Sequence, residues 1–324
     1  MMKKIIPILL CLTLLLSMTA LLAGCAEGGH TTADNNGVTI VVTSPAAHAL
    51  VRPLVQDYTQ DGGTKVVTIV PLYKLGQDIH SFEPTAKDIV SLANADVVVS
   101  TGSEGWLESS LKASGNTSAR VVSMMEVCDV AADHDHGQHD HHDHEGDACG
   151  LMGSDEHVWL SVKNAMEITH AIGDALRLAD GENAAVWTAH EDKACGELLA
   201  LANEYTHMMT TATKGMVVVA DRHPFSYLFR DLGVDCVAAF PGCSSETSAS
   251  FETQTALIET VKKNGLAYIF VIEGSDAKVA GVVAAETGAE ILTLNSLQII
   301  SDYEDLSYIE IMRGNLENLK KALQ

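Results

Sequence analysis

The side chains best suited to chemistry in this sequence are its histidines, of which there are 14. His134, His136, His139, His141, His142 and His144 crowd into one tract, interleaved with Asp133, Asp135, Asp140, Asp143, Glu145 and Asp147. Imidazole nitrogen beside carboxylate oxygen suits zinc, copper or nickel, and no apolar residue of the tract can seed a core. The expectation is a surface loop with many weak, interchangeable sites, an accessory that concentrates metal. A defined site needs histidines on rigid supports, and three qualify. His80 lies in Gly76-Gln77-Asp78-Ile79-His80-Ser81-Phe82-Glu83-Pro84, between a β-rich run and a helix begun by proline. His157 lies in Asp155-Glu156-His157-Val158-Trp159, just before another helix, and His223 follows the apolar run Met216 to Ala220. His48, His170, His190 and His207 read as helix-surface residues and carry no such expectation.

The elements that must hold these residues alternate. Val38 to Thr43, Lys65 to Val70, Asp96 to Ser100 and Arg120 to Ser123 have the apolar, β-branched character of buried strands. Helical stretches Ala46 to Tyr58, Thr85 to Ala93 and Trp106 to Ala113 separate them. A second series, Met216 to Ala220, Val234 to Ala239, Tyr268 to Ile272 and Glu290 to Leu294, repeats the pattern with helices such as Phe251 to Asn264, and Leu306 to Leu323 closes the chain as an amphipathic helix. The predicted class is α/β: two lobes, each with a mostly parallel sheet flanked by helices. Between them, Ser161 to Leu178 is one helix, and Glu182 to Thr211 is a second, linking helix with an apolar stripe at Val186, Ala189, Ala194, Leu198, Leu201, Tyr205 and Met208. At about 1.5 Å per residue the linking helix spans about 45 Å, a stiffer connection than a loop. The predicted lobes are residues 38–181 and 212–324, joined by the helix at 182–211. Ligands at the carboxyl ends of parallel strands face a crevice, where such folds bind their partners.

A formal net charge of -23 argues against nucleic acid and for attraction of cations. Residues 1–24 read as an export signal: Lys3 and Lys4 precede an apolar run ending in Leu22-Ala23-Gly24-Cys25, the pattern of a lipoprotein cleavage site with Cys25 as the lipidated residue. Residues 25–37 then form a flexible tether, and the protein is expected outside the cytoplasm, lipid-anchored to a bacterial membrane. Five cysteines lie beyond Cys25, at Cys128, Cys149, Cys195, Cys236 and Cys243, an odd number in an oxidising compartment. Cys128 with Cys149, or Cys236 with Cys243, are both open as pairs.

Several segments together resemble the helix-hinged zinc and manganese solute-binding lipoproteins of bacterial ABC importers. They are His80-Ser81-Phe82-Glu83-Pro84-Thr85, Asp96 to Gly102 with Trp106-Leu107, Phe225-Ser226-Tyr227-Leu228 before Gly233, and Glu273 with Glu286-Thr287-Gly288. The most specific is Asp155-x-His157-Val158-Trp159-Leu160-Ser161-x-Lys163-Asn164-Ala165. The resemblance covers residues 38–324 and implies a metal bound between two lobes by His80, His157 and a third ligand from the second lobe, then delivered by a monomer to a cognate membrane permease. Two positions depart from the family's pattern. Arg222 stands where the third ligand is expected, and arginine does not ligate metals, so His223, one place later, is the candidate. Asn295 stands at the fourth position, often an acid or histidine, leaving Asn295, Glu246 or Cys243 as possible additional ligands. Nitrogen-rich ligation favours zinc over manganese. A manganese or iron receptor and a surface adhesin of the same fold are the alternatives. No His-Glu-x-x-His occurs, so no enzyme is expected.

Overall fold

A computed structural model describes residues 37–56, 67–128, 155–242 and 249–324. The histidine-rich tract, Cys25, Cys149, Cys243 and Glu246 lie outside the described residues. Among the described residues no helix is long and apolar enough to cross a membrane.

The first sheet is formed by β1 (Val38–Val42), β2 (Val67–Pro71), β3 (Val97–Ser100) and β4 (Arg120–Ser123), all parallel, in the order β2-β1-β3-β4. Every residue of β3 is buried, as its unbroken Val-Val-Val-Ser run requires of a central strand covered on both faces. The connecting helices are α1 (Pro45–Val55), α2 (Ala86–Ala93) and α3 (Leu107–Ser114). Each start is written locally. Ser44 accepts from the Ala47 amide with Pro45 in the first turn of α1, and Thr85 with Asp88 forms a capping box for α2. The long α4 (Val162–Ala179) and α5 (Ala184–Thr211) then lead to the second sheet.

That sheet holds β5 (Met216–His223), β6 (Asp235–Pro241), β7 (Tyr268–Ile272) and β8 (Glu290–Leu294), again all parallel, in the order β6-β5-β7-β8. Helices α6 (Ser226–Leu232), α7 (Phe251–Asn264) and α8 (Lys278–Thr287) connect its strands, and α9 (Tyr308–Leu323) ends the chain. The two sheets share one topology, as the repeated pattern in the sequence predicts.

The buried face of α5 runs Trp187, Glu191, Ala194, Leu198, Leu201, Tyr205 and Met208. The predicted start of this stripe needs correction: Val186 and Ala189 are exposed. Stepping back from Ala194 by three and then four residues lands on Glu191 and Trp187, and the larger indole takes the core position. Glu191 is tolerated there because the Arg177 guanidinium and His170 Nδ1 (2.6 Å) both bond its carboxylate. A Cβ on Gly173 of α4 would stand 2.0 Å from Glu191 Oε2, so glycine is what lets the two helices close over this group.

Several bonds tie the early part of the chain to its end. Arg52 Nη1 donates to the carbonyls of Tyr303 (2.7 Å) and Leu306 (2.9 Å), Gly76 N to Ile300 O (2.7 Å), and the Tyr205 hydroxyl to Met312 O (2.7 Å). Beside them, His48 is half-buried rather than a surface residue: its Nδ1 meets the Tyr73 hydroxyl at 2.7 Å and its ring lies 5.6 Å from that of Tyr303. Burial, helped by the nearby Arg52 charge, lowers the His48 pKa to about 4. The folded state therefore favours neutral His48, while the unfolded chain takes up the proton near pH 6.5. Its contribution to stability is complete above that value and is lost as the pH falls from about 6.5 to 4. Unfolding free energy followed by urea titration is expected to decline across this window, and less steeply in His48→Gln.

Candidate metal site

The site is assembled at the carboxyl ends of the strands. After β2 the chain makes a 3-10 turn, Ile79–Ser81, whose cap is Asp78: Asp78 Oδ1 accepts from the His80 amide at 3.1 Å. This turn sets His80 at the edge of the crevice. His157 stands immediately before the 3-10 turn Val158–Leu160 and the Ser161 cap of α4. Trp159 is fully buried, donates Nε1 to Ser296 O (2.9 Å) and accepts the Tyr308 hydroxyl at its own carbonyl (2.7 Å). The Tyr227 hydroxyl donates to Asp155 O at 3.0 Å. The Asp155–Trp159 segment is thus pinned by residues that follow the linking helix, although it precedes that helix in sequence.

His80 and His157 meet here, with ring centroids 6.2 Å apart, and Glu156 stands with them. Among the described residues these three form the group whose donor atoms all lie within 4.8 Å of one another. His80 Nδ1 is 3.2 Å and His157 Nε2 4.0 Å from Glu156 Oε1. Ligands about 2.0–2.1 Å from a tetrahedral zinc sit about 3.3 Å apart, so the group needs little adjustment to hold one ion. The side chains of His157 and Glu156 are 0% and 4% exposed, whereas that of His80 is 32% exposed. Beside His80 opens a cavity of about 150 Å³, lined by Thr43, Phe82, Glu104, Trp106 and Glu156 among others.

Asp155 prepares His157. Its Oδ1 accepts from the His157 amide (3.0 Å) and faces ring Nδ1 at 2.6 Å. Burial acts to raise the Asp155 pKa, but the bonds from His157 and Ser226 outweigh it and hold the carboxyl below its usual range. An ionised carboxylate at Nδ1 keeps the proton there and leaves the Nε2 lone pair toward the site, the usual outer support of a metal-binding histidine.

His223 does not join the group. β5 runs past the predicted end at Ala220, with a register shift against β6 between Val219 and Arg222, and reaches His223. Successive residues of a strand point to opposite faces, so Arg222 and His223 diverge. Arg222 takes the crevice side and pairs with Asp78 Oδ2 at 3.0 Å. The buried His223 ring stacks on Phe229 (5.3 Å), its Nδ1 faces Cys236 Sγ at 3.8 Å, and its Nε2 has no hydrogen-bond partner among the described residues. Asn295 is likewise occupied, accepting from the Leu297 amide (2.8 Å) at its side-chain oxygen. Two residues that the motifs did not single out stand at the site instead. Glu156 was legible as an acid next to His157. Gln298, whose amide touches His157 Nε2, is 1% exposed and arrives from the loop after β8, with no signal in local sequence.

Residues 40–322 match the model of the ZnuA family, described as the zinc-uptake complex component A, periplasmic. The chain is a member of the ZnuA family. A "putative metal-binding protein" of Treponema pallidum (strain Nichols) is 32% identical over 270 residues, covering 82% of this chain and 84% of the relative. "Zinc-binding protein AdcA" of Streptococcus pyogenes serotype M3 is 29% identical over 262 residues, covering 77% of this chain and 50% of the relative; the chain spans about half the length of the AdcA relatives it matches. Among solved structures, the metal-dependent lipoprotein YcdH from Bacillus subtilis superposes with a TM-score of 0.70 at 25% identity, over 89% of this chain and 100% of that one. The two parallel sheets and the long helix between them are the architecture of such ZnuA-like neighbours.

Proposed function

We propose that this ZnuA-family chain captures zinc in the crevice between its two lobes, residues 38–181 and 212–324, and hands it to the permease of an ABC importer. The observation that carries the reading is the convergence of His80, Glu156 and His157 on one point, with Asp155 orienting His157 from behind. Two imidazoles and a carboxylate are borderline ligands that favour zinc over manganese, which takes oxygen-rich, six-coordinate shells. The named zinc-binding relatives point the same way. The chain supplies a binding site and no reaction. Export, with lipid attached at Cys25 and residues 25–37 as a tether, places the site where incoming metal is met, and the His134–His144 tract would raise the local metal concentration.

The test is a competition titration of the mature chain against a chromophoric chelator, with zinc and manganese in parallel. One tight zinc equivalent, discriminated against manganese by orders of magnitude, is the expected result. Equal affinity for both metals would overturn the assignment of zinc. Absence of any tight equivalent would overturn the reading.

A further inference from the structure

The packed helices α4 and α5 bring a histidine and a cysteine together, and neither belongs to the crevice site. Cys195 Sγ lies 3.7 Å from His170 Nε2 and 3.9 Å from its Nδ1. The Nδ1 is committed elsewhere, 2.6 Å from Glu191 Oε1. Glu191 is buried at 8% exposure, and its other oxygen is held by the Arg177 guanidinium, which also bonds Asp174 at 2.6 Å. A fixed carboxylate at Nδ1 keeps the proton there and leaves the Nε2 lone pair available. Asp155 gives His157 the same outer support. Here the nitrogen so prepared has a sulfur beside it.

The spacing suits an ion held by both atoms. A metal about 2.3 Å from sulfur and about 2.0–2.1 Å from nitrogen sets the two donors about 3.6–3.8 Å apart at tetrahedral to trigonal angles. The Sγ–Nε2 distance of 3.7 Å already has that value. Access is open, because the His170 side chain is 50% exposed and Cys195 is a half-buried free thiol. Burial, followed by the charges of Glu191, Asp192 and Glu167, pushes the Cys195 thiol up to about 11. A thiol held in its protonated form is a poor nucleophile, which argues against a catalytic Cys-His pair. The same three carboxylates attract a cation that takes the place of the proton.

We infer that Cys195 Sγ and His170 Nε2 form a second metal site, for a thiophilic ion such as copper(I), with Glu191 orienting the imidazole. Binding makes one bond to sulfur and one to nitrogen. The thiol proton leaves to solvent, and the oxidation state of the ion does not change. Thiolate and imidazole are soft and borderline donors, the pairing that selects copper(I) over oxygen-seeking ions. The site shares no residue with the crevice site and stands or falls without it.

The experiment titrates copper(I) without oxygen, in competition with bicinchoninate, into the mature chain as wild type, Cys195→Ser, His170→Gln and Glu191→Gln. Cys195→Ser should lose one copper(I) equivalent. Glu191→Gln should weaken that equivalent by about 10- to 100-fold, the usual effect of losing an outer support, and His170→Gln by at least as much. In ¹⁵N-histidine-labelled protein, copper(I) should move the His170 Nε2 resonance of wild type and leave it in place in Cys195→Ser. Equal copper(I) binding in wild type and Cys195→Ser overturns the inference. So does His170→Gln binding as tightly as wild type, which would leave a lone thiol holding the ion. A wild-type His170 resonance indifferent to copper(I) overturns it whatever the variants do. Zinc affinity of the crevice site should be the same in wild type and Cys195→Ser, and a loss there would overturn the separateness of the two sites.

Discussion

His80→Ala is expected to weaken zinc binding by about 100-fold while leaving the unfolding midpoint almost where it is. Tight four-donor zinc sites gain roughly 10–16 kcal/mol, so one donor among four carries about 3 kcal/mol, and that is about two decades in affinity. The fold loses little because the His80 side chain is 32% exposed and stands on a short turn held by Asp78. His157→Ala should lose at least as much affinity and also lower stability. It empties a fully buried position and strands the Asp155 carboxylate and the Gln298 amide, which costs about 2–4 kcal/mol. His223→Phe keeps the stack on Phe229 and removes a nitrogen that has no partner among the described residues, so zinc affinity should stay as in wild type. Chelator competition and urea unfolding on the same three variants separate these outcomes. A loss in His223→Phe equal to that in His80→Ala would place the third ligand at His223 after all.

The second large effect belongs to a residue outside the His80–Glu156–His157 group. Glu273→Ala is expected to destabilise the protein by about 3–5 kcal/mol, because it leaves buried amide donors without an acceptor. Burial pushes the Glu273 pKa up, against the bonds from Ser296 and Gln298 that favour the ionised form. Those same bonds shape the loop that presents Gln298 to His157 and Ser296 O to Trp159. Zinc affinity should therefore fall together with stability. Urea unfolding with and without zinc checks both, and a Glu273→Ala protein as stable as wild type would contradict the assigned role.

The sequence carried the strands well, because a parallel strand covered on both faces is a run of apolar residues with few alternatives. Val97 to Ser100 and Tyr268 to Ile272 are legible for that reason. It also carried His80 and His157, each held by neighbours within a few residues: Asp78 caps the first, and Asp155 orients the second. The second lobe's contribution was not legible. Which of Arg222 and His223 faces the crevice depends on whether β5 ends at Ala220 or runs on through an irregular register, and that is fixed by pairing with β6. Gln298 reaches His157 across 141 positions through a loop gathered by Glu273, an arrangement that local spacing does not encode.

The unequal burial of the three proposed ligands bears on traffic. Glu156 and His157 are buried, and Arg222 pairs with Asp78, the cap of the turn that carries His80. The open side lies at His80, beside the small cavity that Trp106 helps to line. An ion bound at the proposed site would therefore pass His80, the one of the three side chains that solvent reaches. On the proposed reading, the exposed three-residue turn, rather than the buried Glu156–His157 pair, is the part of the site that a permease could reach.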